Sequence, residues 1–243
     1  MNSSFDDIGF WTKAWDTHLE NYLAATPRCG VWLAATLPWK AMTFLEIAGG
    51  SCRDARYLAS KKGVRKVIAT DFDSKMLTYL EQRFPTSPIL LKTENAFNLS
   101  FANNSVDISY HNGFYVYFKD EHKIKCLLKE QARVTKKYII AIVHNAENIE
   151  LVKHFKDEAD SDRLYDIRFF TREELARLAY ESGISMRSIS MHKFGGRADC
   201  LFQSRFRRFQ NPFNRVAEHL VPRLYSLQPW SATERIACVI ALG

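Results

Sequence analysis

Glu46, Asp71 and the run Ala48-Gly49-Gly50-Ser51 between them have types and spacing suited to holding a ligand. The small residues follow a short apolar run, Thr43 to Ile47, and precede a helical stretch. Residues without bulk at such a place let backbone N–H groups approach a ligand at a helix N-terminus. Asp71 stands twenty-one residues beyond Gly50, where a second apolar run, Val67 to Thr70, ends. A carboxylate there is placed to accept hydrogen bonds from both ribose hydroxyls of an adenosine-bearing ligand. The strict GxGxxG pattern is absent, which argues against a nicotinamide dinucleotide. Groups for proton transfer follow later apolar runs: His111 after Val106 to Tyr110, and His144 directly after Tyr138 to Val143, with Tyr115 and Tyr117 between them. Histidine suits acid–base work near neutral pH. Asp157, Glu158, Asp160 and Asp162 crowd a connection that reads as exposed and solvated, and no spacing in the chain is that of a metal site.

The elements that must position these residues alternate between strand and helix. Strands are predicted over Thr43–Ile47, Val67–Thr70, Ile89–Leu91, Val106–Tyr110, Tyr138–Val143, Ile184–His192 and Ile236–Leu242. Between them, helices are predicted from Asp54 to Lys62 with Gly63 as the stop, from a Ser74 cap to about Arg83, and from an Asp120 cap through Arg133. A further helix follows the capping box Thr171-Arg172-Glu173-Glu174, and another spans Asn214 to Leu227. This pattern predicts an α/β protein: a Rossmann-like, seven-stranded, mostly parallel sheet with helices on both faces. Ahead of it, residues 1–40 read as a helical extension rich in aromatics, with Trp11, Trp15, Tyr22, Trp32 and Trp39.

The chain has 243 residues and a formal charge of +7. That length is ample for a real core. From Lys193 onward there are eight Lys/Arg against three Asp/Glu, and the densest piece is Arg205-Phe206-Arg207-Arg208-Phe209. Such a segment suits a solvated face, a phosphate or RNA. Five scattered cysteines, never spaced CxxC, argue for a reducing compartment. With neither a signal-peptide pattern nor an apolar run long enough to span a bilayer, a cytoplasmic location is expected.

Leu45 to Ala59 resembles motif I of the class I S-adenosylmethionine-dependent methyltransferases, and Thr70 to Leu77 resembles the acidic motif after their second strand. Asn95 to Phe101 with Asn104 to Asp107, Glu130 to Lys137, and Phe170 to Ile184 are similar to later blocks of the same family, in the same order. The resemblance implies S-adenosylmethionine as cofactor and S-adenosylhomocysteine as product. It implies that Glu46 orients the loop or meets the methionine amino group, and that Ala48, Gly49 and Gly50 give the cofactor room. Asp71 would hold the ribose, Phe72 and Met76 would border the adenine, Asn95 and Ala96 would meet its edge, and His111 would sit beside the methionine end. Two departures stand out. The family has glycine at the positions of Ala48 and Cys52, and an acid at that of Asn95. Asn112-Gly113-Phe114-Tyr115 is not the Asn-Pro-Pro-Tyr of amino methyltransferases, so transfer to the hydroxyl of a small-molecule acceptor is expected, with His144, His111 or Tyr115 as the catalytic group. Residues 1–40 would then be a lid over the methyltransferase domain, 41–243, and an insertion at 193–230 would line the acceptor pocket. Two alternatives remain: an RNA or tRNA methyltransferase using the basic segment, and a non-catalytic binding subunit.

Overall fold

A computed structural model describes residues 8–200 and 212–243 of the chain. The basic run Arg205 to Phe209 and the first residues of the extension therefore lie outside the described residues. Seven strands form one sheet: β1 (Thr43–Glu46), β2 (Lys66–Asp71), β3 (Ile89–Thr93), β4 (Val106–Asn112), β5 (Thr135–His144), β6 (Met186–Phe194) and β7 (Arg235–Leu242). Their order is β3-β2-β1-β4-β5-β7-β6, with β7 antiparallel to both neighbours and the other pairings parallel. Every residue of β1, and of β5 from Ile139 to His144, is buried, as a sheet covered on both faces requires.

Eight α-helices flank the sheet among the described residues: α1 (Ile8–Ala24), α2 (Arg28–Thr36), α3 (Arg53–Ala59), α4 (Ser74–Arg83), α5 (Glu121–Val134), α6 (Ile149–Glu158), α7 (Arg172–Glu181) and α8 (Pro212–Tyr225). On one face Trp32, Leu33, Leu58, Met76, Leu77, Leu80 and Tyr225 pack against Phe44, Ala69, Tyr110, Ile140 and Ala237. On the other, Ile124, Leu127, Leu128, Leu175 and Leu178 cover Ile139, Ala141, Cys238 and Ile240. Each fully buried leucine or isoleucine in these layers contributes roughly 2 kcal/mol.

Caps set the helix starts. Asp120 accepts from His122 N, and Thr171 and Glu174 form the reciprocal capping box. The cap of α4 is Asp73 rather than the expected Ser74. Its carboxylate accepts from the backbone N–H groups of Lys75 and Met76, a stronger acceptor than a hydroxyl one residue on. The helix expected to reach Lys62 ends at Ala59 and turns to Gly63, whose φ of 102° needs glycine. The expected solvated acidic run is divided: Asp157 and Glu158 close α6, while Asp162 accepts from Leu164 N at the head of a short 3₁₀ turn, Arg163–Tyr165.

Candidate active site

Residues paired across a sheet share a face, as do residues two apart along a strand. Glu46 pairs with Ala69 on one side and Tyr110 on the other, Tyr110 with Ile140, Asn112 with Ile142, and His144 with Arg235. Asp71, Glu46, Asn112, His144 and Arg235 therefore form one row on one face, each from a different neighbouring strand. The row lies at the carboxyl ends of β2, β1, β4 and β5. Because β7 runs antiparallel, its first residue, Arg235, arrives at the same edge. At ~4.8 Å per strand the row spans roughly 19 Å from β2 to β7. This edge, beside the reversal of strand order between β1 and β4, is where open α/β sheets bind ligands.

All five side chains line one cavity of about 600 Å3. At its β1–β2 end the loop after β1 is stitched down by backbone bonds: Gly49 N–H donates to Thr70 O and Gly50 N–H to Asp71 Oδ2, both at 2.9 Å. Asp71 Oδ1 accepts from Asp73 N. Burial raises the Asp71 carboxyl above its usual range, and burial together with neighbouring Asp54 raises that of Glu46. Ala48, Gly50 and Cys52 all have φ near +50°. Glycine occupies that region freely, whereas an alanine or cysteine is strained there by about 1 kcal/mol. The loop keeps its bonds despite the two non-glycine residues.

Phe72, Asn95 and Ala96 also line this end. Asn95 differs from expectation, because its side-chain carbonyl accepts from Phe97 N and holds its own turn. The neighbouring acid, Glu94, lines the cavity too, bonded to Ser100 N and Lys92 Nζ. Met76 does not reach the cavity; α4 turns it into the core beside Leu77 and Leu80.

Toward β5 and β7 the cavity is walled by aromatics and by α1. Trp11 meets Tyr117 edge-on at 4.8 Å, and Trp15 stands on Gly50 so closely that a Cβ there would be 2.6 Å from the indole. Arg53 Nη1 donates to Tyr22 O, and His18 Nε2 lies 3.6 Å from Asp162 Oδ2. His144 is 7% exposed, set between the rings of Phe155 and Phe169 at 5.0 and 5.5 Å. Its Nδ1 is buried with no hydrogen-bond partner, and burial with the adjacent Arg235 cation holds the ring well below its ordinary pKa, hence neutral.

His111 and Tyr115 are elsewhere. One residue before Asn112, His111 takes the opposite face, where it is fully buried against the Tyr115 ring at 3.9 Å, with its pKa lowered to about 3 by burial. Tyr115 donates to Gln131 Oε1 in the core. Neither lines the cavity, nor does any described residue of 193–230. That segment instead packs α8 against α2 and bonds Asp199 to Arg28 and Tyr225. Arg235 and Asn112 are the residues sequence reasoning missed. The antiparallel sense of β7 brings Arg235 to the site, and no local spacing announces it.

No curated protein sequence matches the chain. Among solved structures it resembles a complex between the Haloferax volcanii Trm112 methyltransferase activator and a methyltransferase, at 16% identity and a TM-score of 0.62, covering 99% of this chain and 98% of the other. A Thermotoga maritima S-adenosylmethionine-dependent methyltransferase matches at 17% and 0.62, covering 94% and 98%. Haemonchus contortus phosphoethanolamine N-methyltransferase 2, solved with S-adenosylhomocysteine, matches at 15% and 0.64, covering 96% of this chain and 58% of its own. At such identities these likenesses establish a shared fold. Residues 44–138, which contain the β1 loop and Asp71, match the family model of a methyltransferase domain. The matched segment is a methyltransferase domain, set in a chain with the fold of S-adenosylmethionine-dependent methyltransferases. The cavity suits that cofactor: a loop with a glycine pair after β1, a carboxylate at the end of β2, and room beyond it toward β5. Among the described residues no three His, Cys, Asp or Glu side chains gather as a metal set, and no helix is long and apolar enough to cross a membrane.

Proposed function

We propose that this methyltransferase acts on a hydroxyl oxygen of a small-molecule acceptor, with His144 as general base and helix α1 as a lid, since α2 of the expected lid is buried in the core. The observation that carries this reading is the neutral His144 imidazole, its Nδ1 without a hydrogen-bond partner, at the aromatic end of the cavity and on the same face as Glu46 and Asp71. When bound, S-adenosylmethionine supplies a methyl carbon made electrophilic by its sulfonium. Glu46, the Ala48–Gly50 backbone, Asp71, Phe72 and Ala96 would hold it at the β1–β2 end. The chain's own task is then alignment and drying. Trp11, Trp15 and Tyr117 exclude water above, Asn112 fixes the middle of the row, and a neutral imidazole nitrogen of His144 takes the acceptor's O–H proton. General-base help of this kind is worth about 10²–10⁴ in rate.

The test is transfer of label from methyl-labelled S-adenosylmethionine to three panels: hydroxyl compounds, their amine counterparts, and tRNA. Label on the oxygen of a small hydroxyl compound is expected. Transfer to tRNA, or to amines alone, would overturn the reading, as would tight cofactor binding with transfer to nothing.

A further inference from the structure

Arg235 is a cation at the acceptor end whose binding capacity is only half used. Its Nε donates to Glu234 Oε1 at 3.1 Å and its Nη1 to Asn112 Oδ1 at 2.6 Å, while Nη2 has no acceptor among the described residues. Glu234 is itself committed to Arg28, which grips it through two nitrogens at 2.7 and 2.9 Å and also meets Asp199. Asn112 is held in turn by Asp54, which accepts from its Nδ2 at 3.3 Å. The guanidinium is thus locked in orientation from two sides, with one terminal nitrogen left over and its side chain only 18% exposed. Arg235 lines the cavity, where an anion would complete its fork with charge-assisted bonds.

Its place in the row says which ligand that anion belongs to. Arg235 lies on β7, three strands from β1 and four from β2, or roughly 14 and 19 Å at the usual spacing. Arg235 reaches back over β5 with its guanidinium to Asn112 on β4, at the middle of the row. It is directly opposite His144, and directly opposite pairs on one face stand about 5 Å apart at Cβ. Phe155, Leu164, Tyr165 and Ile167 line the same end and suit an apolar or aromatic body. From this juxtaposition we infer that the acceptor is a carboxylic acid with an aromatic body, its carboxylate gripped by Arg235 while its hydroxyl faces His144. The planar fork of arginine matches the two coplanar oxygens of a carboxylate. A bound carboxylate also cancels the positive field on His144, which strengthens the base only when acceptor is present. This inference rests on the reading of the site given under the proposed function.

The experiment uses the full chain and begins with calorimetric titration of S-adenosylhomocysteine. The saturated complex is then titrated with ortho-, meta- and para-hydroxybenzoate, their methyl esters, phenol and phenyl phosphate. At least one hydroxybenzoate is expected to bind tenfold or more tighter than its ester and than phenol. Arg235→Gln is expected to bring acid down to the level of ester while leaving S-adenosylhomocysteine affinity within twofold. Equal binding of acid and ester to the unaltered protein would overturn the inference without recourse to any variant. So would full acid binding by Arg235→Gln, preference for phenyl phosphate, or no hydroxybenzoate binding at millimolar concentration. Failure of S-adenosylhomocysteine itself to bind would instead bring down the methyltransferase reading, and this inference with it.

Discussion

Ala48 carries a side chain at a φ of 51°, where the methyltransferase family it resembles has glycine. The strain is local, and relieving it leaves the backbone bonds of Gly49 and Gly50 in place while giving up only the small contact of the Ala48 methyl with the core. Ala48→Gly is therefore expected to stabilise the protein by about 1 kcal/mol, read as a rise in Tm of about 2 °C. An unchanged or lower Tm would show that the loop is unstrained. Cys52→Gly is a less clean change, since the buried thiol also donates to Gly50 O. At this scale the sequence was informative about groups next to a motif and silent about groups brought in by topology. Asp71 and His144 were legible because each directly follows an apolar run. His111 misled because it too ends such a run, and a strand's period of two sends it to the wrong face one residue before Asn112.

Helix α1 has no buried residue among those whose side chains are described, and it holds its place through rings and polar contacts: Trp11 on Tyr117, Trp15 on Gly50, and the Tyr22 carbonyl on Arg53. Trp15, Leu19 and Leu23 also rest on the core, yet with none of them fully buried the helix contributes less to global stability than the elements beneath it. Trp15→Ala should weaken S-adenosylhomocysteine binding about tenfold, or about 1.4 kcal/mol, with little change in the Tm of the free protein. A large fall in Tm with unchanged affinity would make α1 a structural brace instead of a lid. β1, β4 and β5 were legible as buried parallel strands, continuous apolar runs bounded by turns, whereas β6, an antiparallel edge strand, was legible only through its imperfect alternation. α6 was not. It buries no residue in the core, its Phe155 faces the cavity, and without a core-facing stripe its charged end reads as loop.

For the whole molecule, the histidines that the fold buries neutral set part of its acid sensitivity. His111 is held at about 3 against an ordinary value of 6.5, so the unfolded chain takes up that proton first as pH falls. Its contribution is complete above pH 6.5 and is lost from there toward pH 3, at about 1.4 kcal/mol per pH unit. His144 acts in the same direction, and buried Glu46, whose carboxyl is raised, acts against it. Comparing His111→Gln with the parent isolates the one term. The stability difference should move in favour of the variant by about 2 kcal/mol between pH 6.5 and 5, read from urea midpoints. A difference independent of pH would show that His111 is charged in the fold.

Glu46, Asp71, His144 and Arg235 line one cavity, and the proposed function divides labour along that row, with cofactor at Asp71 and Glu46 and acceptor at His144 and Arg235. The most direct test is one calorimetric titration series with S-adenosylhomocysteine on the parent protein, Asp71→Ala and His144→Gln. Micromolar binding by the parent, a loss of tenfold or more in Asp71→Ala, and a value within twofold of the parent in His144→Gln are expected. Undiminished binding by Asp71→Ala, or an equal loss in both variants, would contradict the division.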